Sequence, residues 1–421
     1  MVERDHSMIK CARLIRPVLF SSFLLIHCSD TPDARHFFSE RTIDGIPVAQ
    51  NSGEPKYTGE LFRYELVVTL HQDSEGPDSF LYQTRSFIPT VKGFFLDGDG
   101  RYYVNDSGGA RIAVFGPDGR YERSLGGRGQ GPGEFMIGEL IDLSDGILTS
   151  IDYNLHRTTR YHTDGRLIEV VPGRGRFSIG SDLFFGFHNP SHYDQDGHLW
   201  MGSGYLVTTA TGDTIGSAST RQIRVNFEFD TPGHGKGGKS RPPVPYTDRP
   251  FGLYVTDGSV LLTDDVDQVL MWYQLDGSIR KKIETGIPSQ PVTSKERDRY
   301  FRDLDSQFRD ADDNQKVYLG WLRNAVVFPE YRTLWNHISV DDAGYLWLER
   351  CEMDFERRNN GGSYTYYLLS PEGEFLGSTR APGMGRVTRG FFLGEVTDPE
   401  TDRVEYTVWR MLPRSEDFVY P

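Results

Sequence analysis

The chain has 421 residues, 37% of them hydrophobic and 13% aromatic, and a formal charge of −14. Acidic residues (60) outnumber Lys plus Arg (46) and no basic stripe offsets them, which argues against nucleic-acid binding. Three cysteines, Cys11, Cys28 and Cys351, are too few for a disulfide framework.

Residues 1–28 read as an export signal rather than part of the fold. Lys10, Arg13 and Arg16 precede an apolar run at 18–26 that is too short to cross a bilayer. Cys28 follows Leu25, Ile26 and His27, and the arrangement resembles a bacterial lipoprotein signal, with His27 where that pattern carries a small residue. The resemblance implies lipidation at Cys28 and a periplasmic or outer-membrane-anchored protein. Met8 is an alternative start. Loss of residues 1–27 removes Arg4, Lys10, Arg13 and Arg16 against Glu3 and Asp5, leaving about −16.

Residues 29–58 are polar with no sustained period and are expected to form a flexible tether. A β-rich run at 61–70 follows. From there the chain is punctuated by Asp–Gly pairs. Inner turns are expected at Gly100, Gly146, Gly197, Gly258 and Gly344, and outer turns at Gly119, Gly165, Gly212, Gly277 and Gly373. The separation is 19 residues in the first, second and fourth copies, 15 in the third and 29 in the fifth. Gly supplies the positive φ of a tight hairpin, and Asp bonds its own turn.

Such a unit cannot bury its own apolar face, so it must stack on its neighbours. The sixth copy, at 391–398 and 403–411, lacks an outer turn, and the strand at 61–70 is expected to complete it. Residues 413–421 are left as a tail. The linker Gly126-Gly-Arg-Gly-Gln-Gly-Pro-Gly-Glu-Phe135, with the strands around it, resembles the NHL-repeat type of six-bladed β-propeller found in secreted bacterial lipoproteins. The resemblance implies an all-β fold of six four-stranded antiparallel blades, closed by the N-terminal strand.

Between the fourth and fifth blades, residues 291–326 break the strand pattern. Thr293 and Glu296 form a capping-box signature, and helical periods follow to Phe308 and over 314–323. This pair is expected to lie over one face of the disc.

Residues suited to chemistry are few. The pairs Asp106/Arg111, Asp152/Arg157 and Asp398/Arg403 repeat, and a device needed in every blade is structural, so they are read as turn-capping ion pairs. Asp97-Gly-Asp-Gly100 and Asp194-Gln-Asp-Gly197 lack the later ligands of a calcium loop and are read as turns. The glycine linker lacks the Lys-Ser/Thr of a P-loop. Cys351 alternates like a buried strand residue.

That leaves the residues expected where inner strands begin, at the channel mouth: Lys92, Glu139, His188, Asn189, His192, Phe251, Asn336, His337 and Arg386 or Arg389. His188, His192 and His337 are weak metal candidates, with Glu139 as a fourth ligand or base. The expectation is a binding or scaffold module for a cell-envelope protein, peptide or glycan, without a cofactor. The alternative is a metal-assisted lyase or lactone hydrolase using the same mouth.

Overall fold

The computed structural model describes residues 37–70, 93–106, 108–173, 176–178, 183–188, 191–193, 195, 199–201, 204–209, 211–219, 223–225, 229–230, 239–240, 252–255, 258–264, 268–307, 309, 312–326, 328–352, 362–397 and 404–421. The expected turns set the frame. Gly100, Gly119, Gly146, Gly165, Gly212, Gly258, Gly277, Gly344 and Gly373 all have φ between 72° and 98°, a region only glycine visits without strain. Gly197 lies outside the described residues.

Blades one and five show why Asp opens the inner turn. Asp97 Oδ1 accepts from the amides of Asp99 and Arg101, and its Oδ2 from the Tyr103 hydroxyl at 2.8 Å. Asp341 repeats this with the amides of Ala343 and Tyr345 and the Trp347 indole at 2.9 Å. One carboxylate therefore closes the turn and orients the aromatic six residues on. The Asp/Arg pairs are less uniform. Asp106 and Arg111 form an ion pair of 2.7 Å. Asp152 instead accepts from four backbone amides (Met136, Ile137, Asn154 and Leu155), while Arg157 donates to the carbonyls of Gln130, Gly131 and Glu134 in the glycine linker. Asp398 and Arg403 lie outside the described residues.

Six antiparallel blades result, the first five running from an inner strand outward in chain order. Blade one is Phe94–Leu96, Tyr102–Asp106, Arg111–Phe115 and Tyr121–Gly126; blade two is Gly138–Ser144, Ile147–Asp152, Arg157–His162 and Leu167–Pro172. Blade four spans Gly252–Val255 to Ile279–Glu284, and blade five Trp335–Val340 to Phe375–Ala381. Blade six combines Met384–Thr388, Phe391–Thr397 and Val404–Pro413 with Phe62–Thr69 from the other end of the chain, paired from Phe62↔Pro413 to Thr69↔Thr407 with a register shift between Leu66 and Val68.

The cores lie between blades, because alternate residues of each strand face opposite neighbours. Phe94, Tyr102 and Val104 pack on Leu393 and Val408 of blade six, whereas Phe95 and Tyr103 pack on Leu140 and Leu148 of blade two. Phe185, Tyr205 and Val207 join blade three to Ile151 on one side and to Val260 and Leu262 on the other. Leu261 and Trp272 meet Trp335 and Leu348 between blades four and five. Trp347 and Tyr366 meet Val387 and Phe392 between five and six. The circle of interfaces closes, and the fold is a six-bladed β-propeller.

Two expectations are corrected. The segment expected as a tether is structured from residue 37 onward. Phe38–Ile43 and Ile46–Asn51 form a hairpin through Asp44 (φ 52°) and Gly45 (φ 83°) and add in parallel to the outer strand of blade four. Asn51 then joins blades four and five, its Nδ2 donating to the carbonyls of Glu284 and Gly373 and its Oδ1 accepting from the Phe375 amide. The amides of Lys56, Tyr57 and Leu61 bond along Phe375, Leu376 and Ser378 before the chain enters blade six. Residues 37–62 are thus a strap across three blades, held by edge hydrogen bonds rather than by a long apolar pattern.

The second correction concerns blade three. Its sheet order is Arg176–Ser178, Leu183–His188, Gly204–Thr209, Thr214–Ser219. His188 therefore ends the second strand, opposite Gly204, rather than beginning the innermost one. His192 sits in Ser191–Tyr193, paired with Leu199–Met201 in an extension of that hairpin. The extension carries its own Asp–Gly pair, which imitated an inner turn and produced the short 15-residue spacing.

The insertion holds two helices, α1 (Ser294–Gln307) and α2 (Asp313–Ala325). Thr293 and Glu296 form the expected cap, with the Glu296 side chain accepting the Thr293 amide at 2.6 Å. Asp312 and Gln315 build a second capping box. The stem is Gln290–Pro291 paired with Tyr331–Arg332, and a buried Glu296–Arg332 ion pair ties α1 to it just before the inner strand of blade five.

Candidate ligand site in the central channel

Among the residues expected at the mouth, Lys92, Asn189 and Phe251 lie outside the described residues, as does Cys28. The structure places Glu139 and His337 near the start of the inner strands of blades two and five. Glu139 is buried; its carboxylate bonds the Tyr153 hydroxyl, and burial together with that negative charge pushes the Tyr153 phenol up. His337 pairs across the strand with Glu349, so the two side chains share one face of blade five. The register shifts between Trp335 and His337, leaving exposed Asn336 at the irregularity.

Arg389 is at the opposite end and does not belong to this mouth. It occupies the inner turn of blade six, with φ 51° beside Gly390 (φ 75°). Its amide and the Thr388 hydroxyl both donate to Asp342 in the inner turn of blade five, and its Nη1 donates to the Asp97 carbonyl in that of blade one, at 2.8 Å. It joins three inner turns on one face of the disc. The five-residue strand Met384–Thr388 separates the two faces here, and Arg389 stands at the end of it away from the expected mouth.

Arg386, three residues earlier, is the better candidate. Its guanidinium lies over the Phe95 ring of blade one, 4.4 Å from the centroid. It also feels Asp142 of blade two and Asp342 of blade five. Influence from carboxylates of blades two and five fits a side chain of blade six directed toward the common axis. Arg386 and Asp142 also hold equivalent places: each is three residues before a left-handed turn residue, Arg389 and Asp145. Both retain partial exposure, so they are surrounded by protein yet wet, as expected of a narrow channel.

The electrostatics follow from that setting. Burial holds the Arg386 guanidinium below its usual range, and the two carboxylates oppose the shift. Burial raises the Asp142 carboxyl, while a hydrogen bond from Ser144 (2.8 Å) and the Arg386 charge pull it back. The result is a forked donor backed by an aromatic face with carboxylates in electrostatic reach, a setting suited to a polar or zwitterionic group. Phe95, Asp142 and Asp342 were missed in the sequence because nothing local distinguishes them. The available signal was position alone: Phe95 and Asp142 precede Asp–Gly turns, and Asp342 lies within the turn that ends at Gly344. Among the described residues no group of three His, Cys, Asp or Glu side chains converges.

A family model described as a 6-bladed beta-propeller, DUF5128, matches residues 90–170, which are blades one and two. No curated protein matches. Among solved structures, a Bacteroides fragilis protein is 10% identical, with 87% of this chain and 100% of that one covered and a TM-score of 0.43. A DUF4221-family member from Bacteroides vulgatus is 11% identical (84% and 99% covered, TM-score 0.38), and a virginiamycin B lyase from Staphylococcus aureus is 12% identical (82% and 88%, TM-score 0.30). At these values the neighbours add nothing to what the chain's own strands establish.

Proposed function

We propose that the chain is an exported binding module, anchored by a lipid at Cys28, whose central channel receives a polar group of a cell-envelope protein, peptide or glycan. The observation that carries this reading is the Arg386–Phe95 stack, with the Asp142 carboxylate of blade two within electrostatic reach. Its rigid forked donors match a carboxylate or phosphate oxygen pair through two parallel hydrogen bonds. Two of the three histidines needed for the metal-assisted alternative belong to the second strand of blade three and its extension, not to an innermost strand. The export and anchoring elements rest on the basic and apolar pattern at 10–28. No helix among the described residues is long and apolar enough to cross a membrane.

The channel reading is tested by thermal shift of the purified protein with soluble peptidoglycan fragments and a library of short acidic peptides. One class is expected to raise the melting temperature of the wild type, with the shift lost in Arg386→Gln. Equal shifts in the wild type, Arg386→Gln and Asp142→Asn would sink it. For the anchor, labelled palmitate is expected in the wild type and absent from Cys28→Ala. Label that persists in the variant rejects that acylation site.

A further inference from the structure

We propose a second ligand site on the outer rim, for a small acidic sugar, in the groove where the strap leaves blade five. The strap follows the last strand of blade five until the Leu61 amide bonds the Ser378 carbonyl at 3.1 Å. At Phe62 it turns into blade six. The two sheets diverge there, and the wedge between them is a cavity of about 230 Å³ whose lining includes Arg63, Tyr64, Ser363, Arg380 and Arg414.

Three arginines from separate segments line this groove in a chain whose formal charge is −14. Two of them are already oriented. The Glu60 carboxylate accepts both the Arg380 amide (2.5 Å) and its Nε (2.7 Å). Arg414 donates its Nε to the Phe62 carbonyl at 3.1 Å, and its amide bonds Leu61. Those bonds use Nε and leave the two Nη groups of each fork for a ligand. Arg63 pairs with Glu65 at 2.9 Å, but both side chains are largely exposed and the pair is weak. The Tyr64 hydroxyl is occupied by Thr379, so its ring serves as wall.

A rigid guanidinium fork matches a carboxylate or phosphate through two parallel hydrogen bonds. At roughly 30 Å³ per water, the cavity holds about eight waters, the room of one sugar residue and less than a drug-sized ligand needs. Glu60 and the Ser363 hydroxyl add an acceptor and a donor–acceptor suited to sugar hydroxyls. The ligand class is therefore a single sugar bearing a carboxylate or a phosphate.

Calorimetric titration of the intact protein with glucuronate, glucose 6-phosphate and glucose tests this, and the first two distinguish the source of the anion. One anion is expected to bind at millimolar concentration, with glucose at least about ten-fold weaker. Arg63→Gln, at an exposed position that leaves the fold intact, and Arg414→Gln are each expected to weaken the anion by about ten-fold without lowering the melting temperature of the former. Arg386→Gln in the channel should leave the titration unchanged, which separates this site from the proposed channel function. No binding of either anion, equal binding of glucose, unaltered binding in the rim variants, or loss in Arg386→Gln would each overturn it.

Discussion

Asp97 and Arg386 lie towards the same end of the disc, on adjacent blades, and meet opposite demands. Asp97 spends its carboxylate on two turn amides and a tyrosine, and Asp341 repeats the arrangement in blade five with a tryptophan. Nothing in either turn is left for a ligand. Arg386 stands at a position whose equivalent in blade two is Asp142, so this place on the inner strand is not a repeated one. What recurs in the blades satisfies the backbone. What occurs once, deep and wet, is the place to look for function.

The largest expected effect tests the recurring half of that contrast. Trp347 is almost wholly buried, its indole held by Asp341 and its ring packed on Phe62 and Tyr366. Trp347→Ala is expected to cost about 3–5 kcal/mol in denaturant unfolding. Ligand-induced thermal shifts should survive in the fraction that folds. A cost under about 1 kcal/mol would mean that the repeat does not carry the stability assigned to it.

Asn51 sharpens the comparison from the rim, where a single residue does the work of a repeat. Its side chain makes three backbone hydrogen bonds that join blades four and five. Asn51→Ala leaves buried backbone groups without partners and is expected to cost about 2 kcal/mol. Limited proteolysis should then cut within residues 37–61 before any blade. A strap that stays protected in the variant would show that the parallel pairing of Val48–Gln50 with Lys282–Glu284 holds it alone.

The same contrast accounts for what could be read in the sequence. Asp–Gly turns report themselves locally, because the positive φ and the carboxylate bonds are properties of a few adjacent residues. The closure of Phe62–Thr69 on Val404–Pro413 was legible too, since a blade missing its outer turn requires a strand from elsewhere. The strap was not: its hairpin buries only Val48, Ala49 and Asn51, too few to make a pattern, although Asp44-Gly45 carried the turn signal. Blade three failed because its second and third strands are joined by an extension with a competing Asp–Gly pair. The channel pair failed for another reason. Arg386 and Asp142 are far apart in sequence, each sits on an ordinary alternating strand, and only closure of the ring brings them together. Arg389 was displaced by a single strand length, which puts it on the other face.

Tyr161 marks the limit of equating singular with functional, and its expected effect is the smallest. Its hydroxyl donates to the Gly133 carbonyl in the glycine linker, beside the buried Phe135 ring, and among the described residues this arrangement also occurs once. Burial pushes the phenol up to about 12. The folded protein therefore keeps this proton to about pH 12, while the unfolded chain loses it near pH 10. Across that window the unfolded state binds fewer protons, so the contribution to stability is intact below pH 10 and falls as the pH rises. Tyr161→Phe removes both the hydrogen bond and the titration. It is expected to cost about 1 kcal/mol at neutral pH, and the gap between wild type and variant should narrow above pH 10 in unfolding curves measured from pH 7 to 12. A gap that stays constant would mean that the hydroxyl does not titrate out of its bond with the linker. A single element can thus be purely structural when, like Tyr161, it is dry and its donor is already occupied; Arg386 differs on both counts.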